Sequence, residues 1–267
     1  MIEKKIHYVW FGNAKPEKVL KCIESWKKNL PDYEIIEWNE TNFDVEEELK
    51  KNKFFRECYK RQLWAFVADY VRVKILYNYG GIYLDTDMEI IKDISPLLDT
   101  DMFLGYENEN TMSFGIVGVI PKHKVFEKMY EFYQDEIWKS SLHIITNILT
   151  DILEEEYQGK YKQNNINIYP REYFYPFNHD EEFTETCIKK NTYAIHWWGK
   201  SWKKNPKVYF LGGQSDAGKS KLKDRIGKEN LVIDVDEFRK YQNINYSINI
   251  ILILSLIFLL KYMICIL

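Results

Sequence analysis

Cysteine is scarce in this 267-residue chain: Cys22, Cys58, Cys187 and Cys265 stand far apart and form no Cys-x-x-Cys pair. Neither a structural zinc site nor a disulfide framework is indicated, and a reducing cytoplasm is the expected compartment. An excess of positive charge is missing too. With 37 Lys and Arg against 40 Asp and Glu, the net charge is −3 and the isoelectric point about 6.0, so no basic stripe is offered to nucleic acid. The opening MIEKKIHYVWFG is basic but has no apolar run long enough for a signal peptide. Internal repeats are not seen. What the chain has in quantity is aromatic, 16% of its residues, which suits a site where sugar or base rings stack and suits a well-filled core equally. Its length predicts one large domain or two modest ones.

The most informative stretch is residues 64–89. Ala65, Ala68, Val71, Arg72, Ile75, Leu76 and Tyr79 recur at helical spacing, predicting an amphipathic helix that Gly80 and Gly81 end. Ile82, Tyr83 and Leu84 then read as a short buried strand with Asp85, Thr86 and Asp87 at its carboxyl end. In an open α/β sheet, ligands gather outside the carboxyl ends of the strands. Residues two apart in extended chain point the same way, so Asp85 and Asp87 could share one Mg²⁺ or Mn²⁺ while Thr86 turns away. Such a cation would bridge to phosphate oxygens and take up the charge of a leaving diphosphate. Asp69 and Arg72 lie three apart and share a helix face, which on its own reads as a solvated pair.

Around this stretch, residues 6–10 read as a first strand, Pro16 opens a helix with Val19, Leu20, Ile23 and Trp26 on one face, and residues 33–38 form a second, parallel strand. Residues 44–62 are acidic, then basic, and predict a solvated helical face or the side of a cleft. Strands are expected over 102–105 and 113–120, where Gly115 and Gly118 would admit a close backbone approach at a ligand or mark a bulge. A helix through Trp138 starts at Lys122, His123 and Lys124, with His123 as a helix-start residue. Residues 140–157 predict another helix. Residues 169–176, aromatic and punctuated by proline, predict a shaped loop able to present rings to a ligand. Residues 193–197 read as a strand carrying His196.

Three motifs carry a family resemblance. Asp69-x-x-Arg72 followed by Leu76-Tyr77-x-x-Gly80-Gly81-Ile82-Tyr83-Leu84-Asp85-x-Asp87 resembles the signature of glycosyltransferase family 32, the DXD group that includes eukaryotic mannosyltransferases and bacterial capsular-polysaccharide enzymes. His7-Tyr8-Val9-Trp10-Phe11-Gly12 resembles the family's opening motif, and His196-x-x-x-x-Ser201-Trp202 its carboxyl-terminal element, which folds back over the donor site. The resemblance covers residues 1 to about 203 and implies an α/β fold of GT-A type: a mixed, mostly parallel sheet flanked by helices, with a Rossmann-like nucleotide-sugar site. It implies transfer of a hexose, with retention, from a UDP- or GDP-sugar to a glycan or lipid-linked saccharide. Asp85 and Asp87 would then hold Mn²⁺ or Mg²⁺, with His196 a further ligand of the metal or the diphosphate. Trp10 would stack on the base, Tyr83 line the nucleotide, Asp69 and Arg72 hold ribose or donor sugar, and Ser201 and Trp202 close over the phosphates. A plain packing role stays open for Trp10 and His196. No residue presents itself as a covalent nucleophile.

At Asn205-Pro206 the pattern changes. Residues 207–211 read as a strand, and Gly213-x-x-x-x-Gly218-Lys219-Ser220 fits the phosphate-cradling loop, with Lys219 on phosphate and Ser220 on Mg²⁺. A second strand over 231–234 leads to Asp236, and the segment 206–240 resembles the start of a zeta-toxin type P-loop kinase, in which Asp236 would match the catalytic base. Nothing like the rest of that sheet follows, so a truncated remnant is expected, because two strands cannot bury a core alone. Residues 244–267 are strongly apolar but interrupted by Lys261, at the short edge of a bilayer span. An anchor to the inner face of a membrane and an out-of-register tail both fit. Three functions are thus in play: a metal-dependent glycosyltransferase, which the motifs favour, a P-loop small-molecule kinase, and a non-catalytic sugar-nucleotide-binding protein.

Overall fold

The structure, a computed structural model, describes residues 1–12, 14–199, 208–211 and 231–234. The chain divides into two compact units, Met1–Trp202 and Lys203–Leu267. The first is built on a six-stranded sheet of order β2-β1-β3-β6-β5-β7, formed by β1 (Lys5–Val9), β2 (Glu34–Trp38), β3 (Gly81–Leu84), β5 (Met102–Tyr106), β6 (Met112–Val119) and β7 (Ile166–Tyr169). Only β6 runs against its neighbours among these strands, so the sheet is mixed and mostly parallel, and the carboxyl ends of β1, β2, β3, β5 and β7 share one edge. The right-handed preference of parallel crossovers places a helix between β1 and β2. That helix is α1 (Glu17–Asn29), whose Trp26 is fully buried and donates from Nε1 to Met88 O at 2.7 Å.

Side chains alternate across the sheet and feed two apolar clusters. On one face Val9, Tyr83, Leu104 and Val117 meet α3 (Lys53–Lys60), α4 (Trp64–Tyr79), α5 (Lys124–Gln134) and α6 (Ile145–Tyr157). On the other, Ile6, Tyr8, Ile82, Leu84 and Phe103 meet α1 and the later residues Phe174 and Tyr175. A separate two-stranded sheet pairs β4 (Met88–Ile90) antiparallel with β8 (Ala194–His196). In the second unit, β9 (Val208–Leu211) and β10 (Leu231–Asp234) form a parallel pair. Gly213, Gly218, Lys219, Ser220, Asp236 and the apolar segment 244–267 lie outside the described residues. Among the described residues no helix is long and apolar enough to cross a membrane.

Several local expectations are corrected. The α4 helix is not amphipathic: Val67, Asp69, Tyr70, Val71, Arg72, Val73, Ile75 and Leu76 are all buried, because α4 lies between the sheet and the neighbouring α3 and α5. Tyr79, placed on its apolar face by spacing, is exposed. The helix does end at Gly80, whose φ of 62° and ψ of −151° only glycine adopts freely; a Cβ there would stand 2.5 Å from Pro121 N. Gly118 serves neither a ligand nor a bulge: a Cβ on it would meet the Phe103 ring at 2.1 Å, so it makes room for that ring. Residues 44–62 are more than a solvated face. Within α2 (Val45–Lys51), Glu48 is buried, pairs with Lys74 and accepts from Tyr70 OH at 2.7 Å. The rings of residues 169–176 pack inward, Tyr169 stacking on Tyr173 at 4.8 Å while Phe174 and Tyr175 are fully buried, so this loop builds core. The helix expected over 140–157 begins at Ile145. His123 caps α5 as anticipated, its Nδ1 accepting from Val125 N at 3.3 Å.

Candidate active site

The site begins where β3, buried along its length, runs out at the carboxyl edge between β1 and β6. Asp85 N donates to Gly115 O at 2.8 Å, which pins the strand end to β6, and Met88 N donates back to Asp85 O at 3.0 Å. Asp85 to Met88 is therefore a tight turn. The sequence argument placed both carboxylates on one side of an extended chain; the fold brings them together by this turn instead. From Met88 the chain enters β4, whose register sets Met88 opposite His196. That pairing delivers a histidine to Asp87 from more than a hundred residues later.

Asp87 is held at three atoms. Its Oδ1 lies 3.0 Å from His196 Nε2, its Oδ2 accepts from Gly199 N at 2.7 Å, and its carbonyl accepts from Trp197 N at 3.0 Å. Asp85 is held at one oxygen: Oδ1 accepts from Arg72 Nη1 at 2.9 Å and from Tyr83 OH at 3.1 Å. Arg72 also pairs with Asp69 through Nη2, and its guanidinium lies over the rings of Tyr83 and Phe114, 5.1 and 4.8 Å from their centroids. Asp69, Arg72 and Tyr83 are buried, so they stand behind Asp85 and fix its orientation.

Electrostatics separates the two aspartates. Burial raises the Asp85 pKa, opposed by Arg72 and reinforced by the charge of Asp87. Burial acts on Asp87 in the same direction, but the hydrogen bond and charge of His196, with the Gly199 amide, outweigh it and hold this carboxyl below its ordinary value. His196 answers in kind: burial would lower its pKa, yet Asp87, Asp85 and Glu107 raise it. Its ring stands edge-on to Tyr175 at 5.6 Å and 4.2 Å from the Trp198 ring.

One ligand atom each from Asp85, Asp87 and His196 lies within 4.8 Å of the others. Two carboxylates and an imidazole suit Mn²⁺ or a similar divalent ion, and with Arg72 and Tyr83 both on Oδ1, the other oxygen of Asp85 can face it. The set fits a cation. The sequence-predicted Trp10 follows β1, half-buried, its N donating to Trp38 O at 2.9 Å. Ser201 and Trp202 lie outside the described residues. Sequence reasoning passed over Glu107, one residue beyond β5 at the same sheet edge as Asp85. Its place at a strand's carboxyl end was the signal available for Glu107.

Residues 16–104 match the family described as "Glycosyltransferase sugar-binding region containing DXD motif". An uncharacterized glycosyltransferase of Acanthamoeba polyphaga mimivirus is 27% identical over 217 residues, covering 76% of this chain and 84% of its own. Inositol phosphoceramide mannosyltransferase 3 of Schizosaccharomyces pombe is 32% identical over 124 residues, covering 46% of this chain, which spans only 34% of that relative. Among solved structures, PaToxG glycosyltransferase superposes with a TM-score of 0.50 at 17% identity, over 61% of this chain and 72% of its own. With the DXD sugar-binding region matched along the strand that carries Asp85 and Asp87, and with this sheet beneath it, the chain is a glycosyltransferase of GT-A fold.

Proposed function

We propose that the chain is a metal-dependent, retaining hexosyltransferase that moves a sugar from a UDP- or GDP-sugar donor to a glycan or lipid-linked acceptor. The observation that carries the reading is the convergence of Asp85, Asp87 and His196 at the carboxyl end of β3. A divalent ion held by these three would neutralise the charge gathering on the departing nucleoside diphosphate. Arg72 and Tyr83 keep Asp85 turned toward that point, the Gly199 amide does the same for the Asp87 carboxylate, and Trp197 N holds the Asp87 backbone carbonyl. Trp10, at the end of the neighbouring strand, offers its indole to the base, while Asp69 and Arg72 bound the floor where ribose or hexose lies. The chain then positions an acceptor hydroxyl at the anomeric carbon.

Mannosyl transfer to an inositol phosphoceramide, named for the fission-yeast relative, supports a hexose donor and an acceptor carrying a lipid. We place the activity in surface or capsular polysaccharide synthesis, in the cytoplasm or at the inner face of the membrane, and give the segment 206–240 no part in it. The test is a panel of UDP-glucose, UDP-galactose and GDP-mannose with and without Mn²⁺, read by thermal stabilisation and by diphosphate release. A donor at a hundred times its dissociation constant should stabilise the fold by about 2.7 kcal/mol. Stabilisation by no donor, or release that survives Asp85→Asn together with Asp87→Asn, sinks the proposal.

A further inference from the structure

A histidine that ligates a cation is ordinarily held in orientation by the hydrogen bond its second ring nitrogen makes. His196 has no such bond. Its Nε2 faces Asp87 Oδ1 at 3.0 Å, while its Nδ1 is buried without a hydrogen-bond partner among the described residues. Packing is left to fix the ring. Tyr175 stands edge-on to it at 5.6 Å, and the indole of Trp198 lies closer, with centroids 4.2 Å apart and planes tilted by 59°. Trp198, half-buried, is itself tethered: its Nε1 donates to Phe177 O at 3.0 Å.

The backbone of Trp198 is a second, separate observation. Its φ of 51° puts a bulky residue in the left-handed region, a costly conformation that persists only where surrounding contacts impose it. From the end of β8 at His196 the chain passes through this residue to Gly199. Its two neighbours both bond Asp87, Trp197 N to the carbonyl at 3.0 Å and Gly199 N to Oδ2 at 2.7 Å. One residue therefore meets the imidazole through its ring and, through its backbone, sets where the Gly199 N–H reaches the carboxylate. We infer that Trp198 is the positioning residue of the centre: its indole holds His196 in place of the missing hydrogen bond, and its left-handed turn delivers the Gly199 amide to Asp87.

This rests on the cation reading above, and the test separates the two. Mn²⁺ affinity is measured by calorimetry on the full chain, and folding by urea without metal, for the native protein and for Trp198→Asn, Trp198→Val and Trp198→Phe. Asparagine accepts left-handed backbone but sets no aromatic ring against His196; valine resists that backbone as well; phenylalanine keeps a ring and gives up the bond to Phe177 O. Removing a group that orients a metal ligand costs roughly ten- to a hundredfold in metal affinity. Trp198→Asn should lose about that factor while still unfolding cooperatively, Trp198→Val should lose more, and Trp198→Phe should recover most of it. Should Trp198→Asn not fold, Trp198→Leu, which keeps apolar bulk without the flat ring, should show a smaller loss of the same kind. A side chain that merely filled space would lower the urea midpoint and leave Mn²⁺ affinity unchanged, and that result overturns the inference. Equal losses in Trp198→Asn and Trp198→Phe overturn the role of the ring, and a Trp198→Val no weaker than Trp198→Asn overturns that of the turn. A native chain that takes up no Mn²⁺ overturns the cation reading itself.

Discussion

Arg72 serves two carboxylates from within the protein, and its worth is measured by what it would leave behind. Removing one partner of a buried pair strands the other's charge, so Arg72→Leu should cost about 3–5 kcal/mol in urea unfolding, with Asp69 the stranded acid. Arg72→Lys keeps the charge but not the planar fork that reaches Asp69 and Asp85 together, and should retain part of the stability while losing Mn²⁺ affinity. His7 is a second buried group with a measurable signature. Burial lowers its pKa from 6.5 to about 4. The unfolded chain therefore takes up this proton first as pH falls, and the folded chain only near 4. The contribution is complete above about pH 7 and is lost between 6.5 and 4, up to about 3 kcal/mol. Urea midpoints followed from pH 7.5 to 4.5 should fall less steeply for His7→Gln, whose amide oxygen can still accept the Trp38 Nε1–H that Nδ1 accepts at 3.1 Å.

At the scale of elements, the α4–β3 junction has no slack. Gly80→Ala would force a side chain into glycine-only backbone and against Pro121, and should cost about 3 kcal/mol or more, visible as a depressed melting temperature. The junction was legible in the sequence because paired glycines after a helical run have few other uses, and β1, β2, β3, β5 and β6 were legible from their apolar runs. What spacing could not reveal is which sides of α4 are covered. A periodic pattern reports contrast between faces, and a helix enclosed by sheet and helices has little. The turn at Asp85 was hidden for a related reason: both an extended segment and a turn can bring residues two apart to one place, and only the Met88-to-Asp85 hydrogen bond distinguishes them. Nor could periodicity say that Gly118 exists for the Phe103 ring, a contact across two strands.

For the molecule as a whole, the first unit contains the entire six-stranded sheet and both apolar clusters. A chain ending at Trp202 should unfold in one cooperative calorimetric transition and bind Mn²⁺ with the affinity of the full chain; a molten transition or lost affinity would refute this. Motif syntax announced Asp85, Asp87 and His196 as one centre, while the means of bringing them together, a three-residue pairing of β4 with β8, was not legible in either segment alone. That pairing fixes an order in synthesis. As the chain leaves the ribosome, the last strand of the main sheet is finished at Tyr169, and with Phe174 and Tyr175 added the scaffold can close around its hydrophobic interior. Its acidic tip still lacks an imidazole at that moment. A message cut short between Tyr175 and His196 should yield a well-formed but chemically mute body, competence arriving only with the short ribbon that β8 completes.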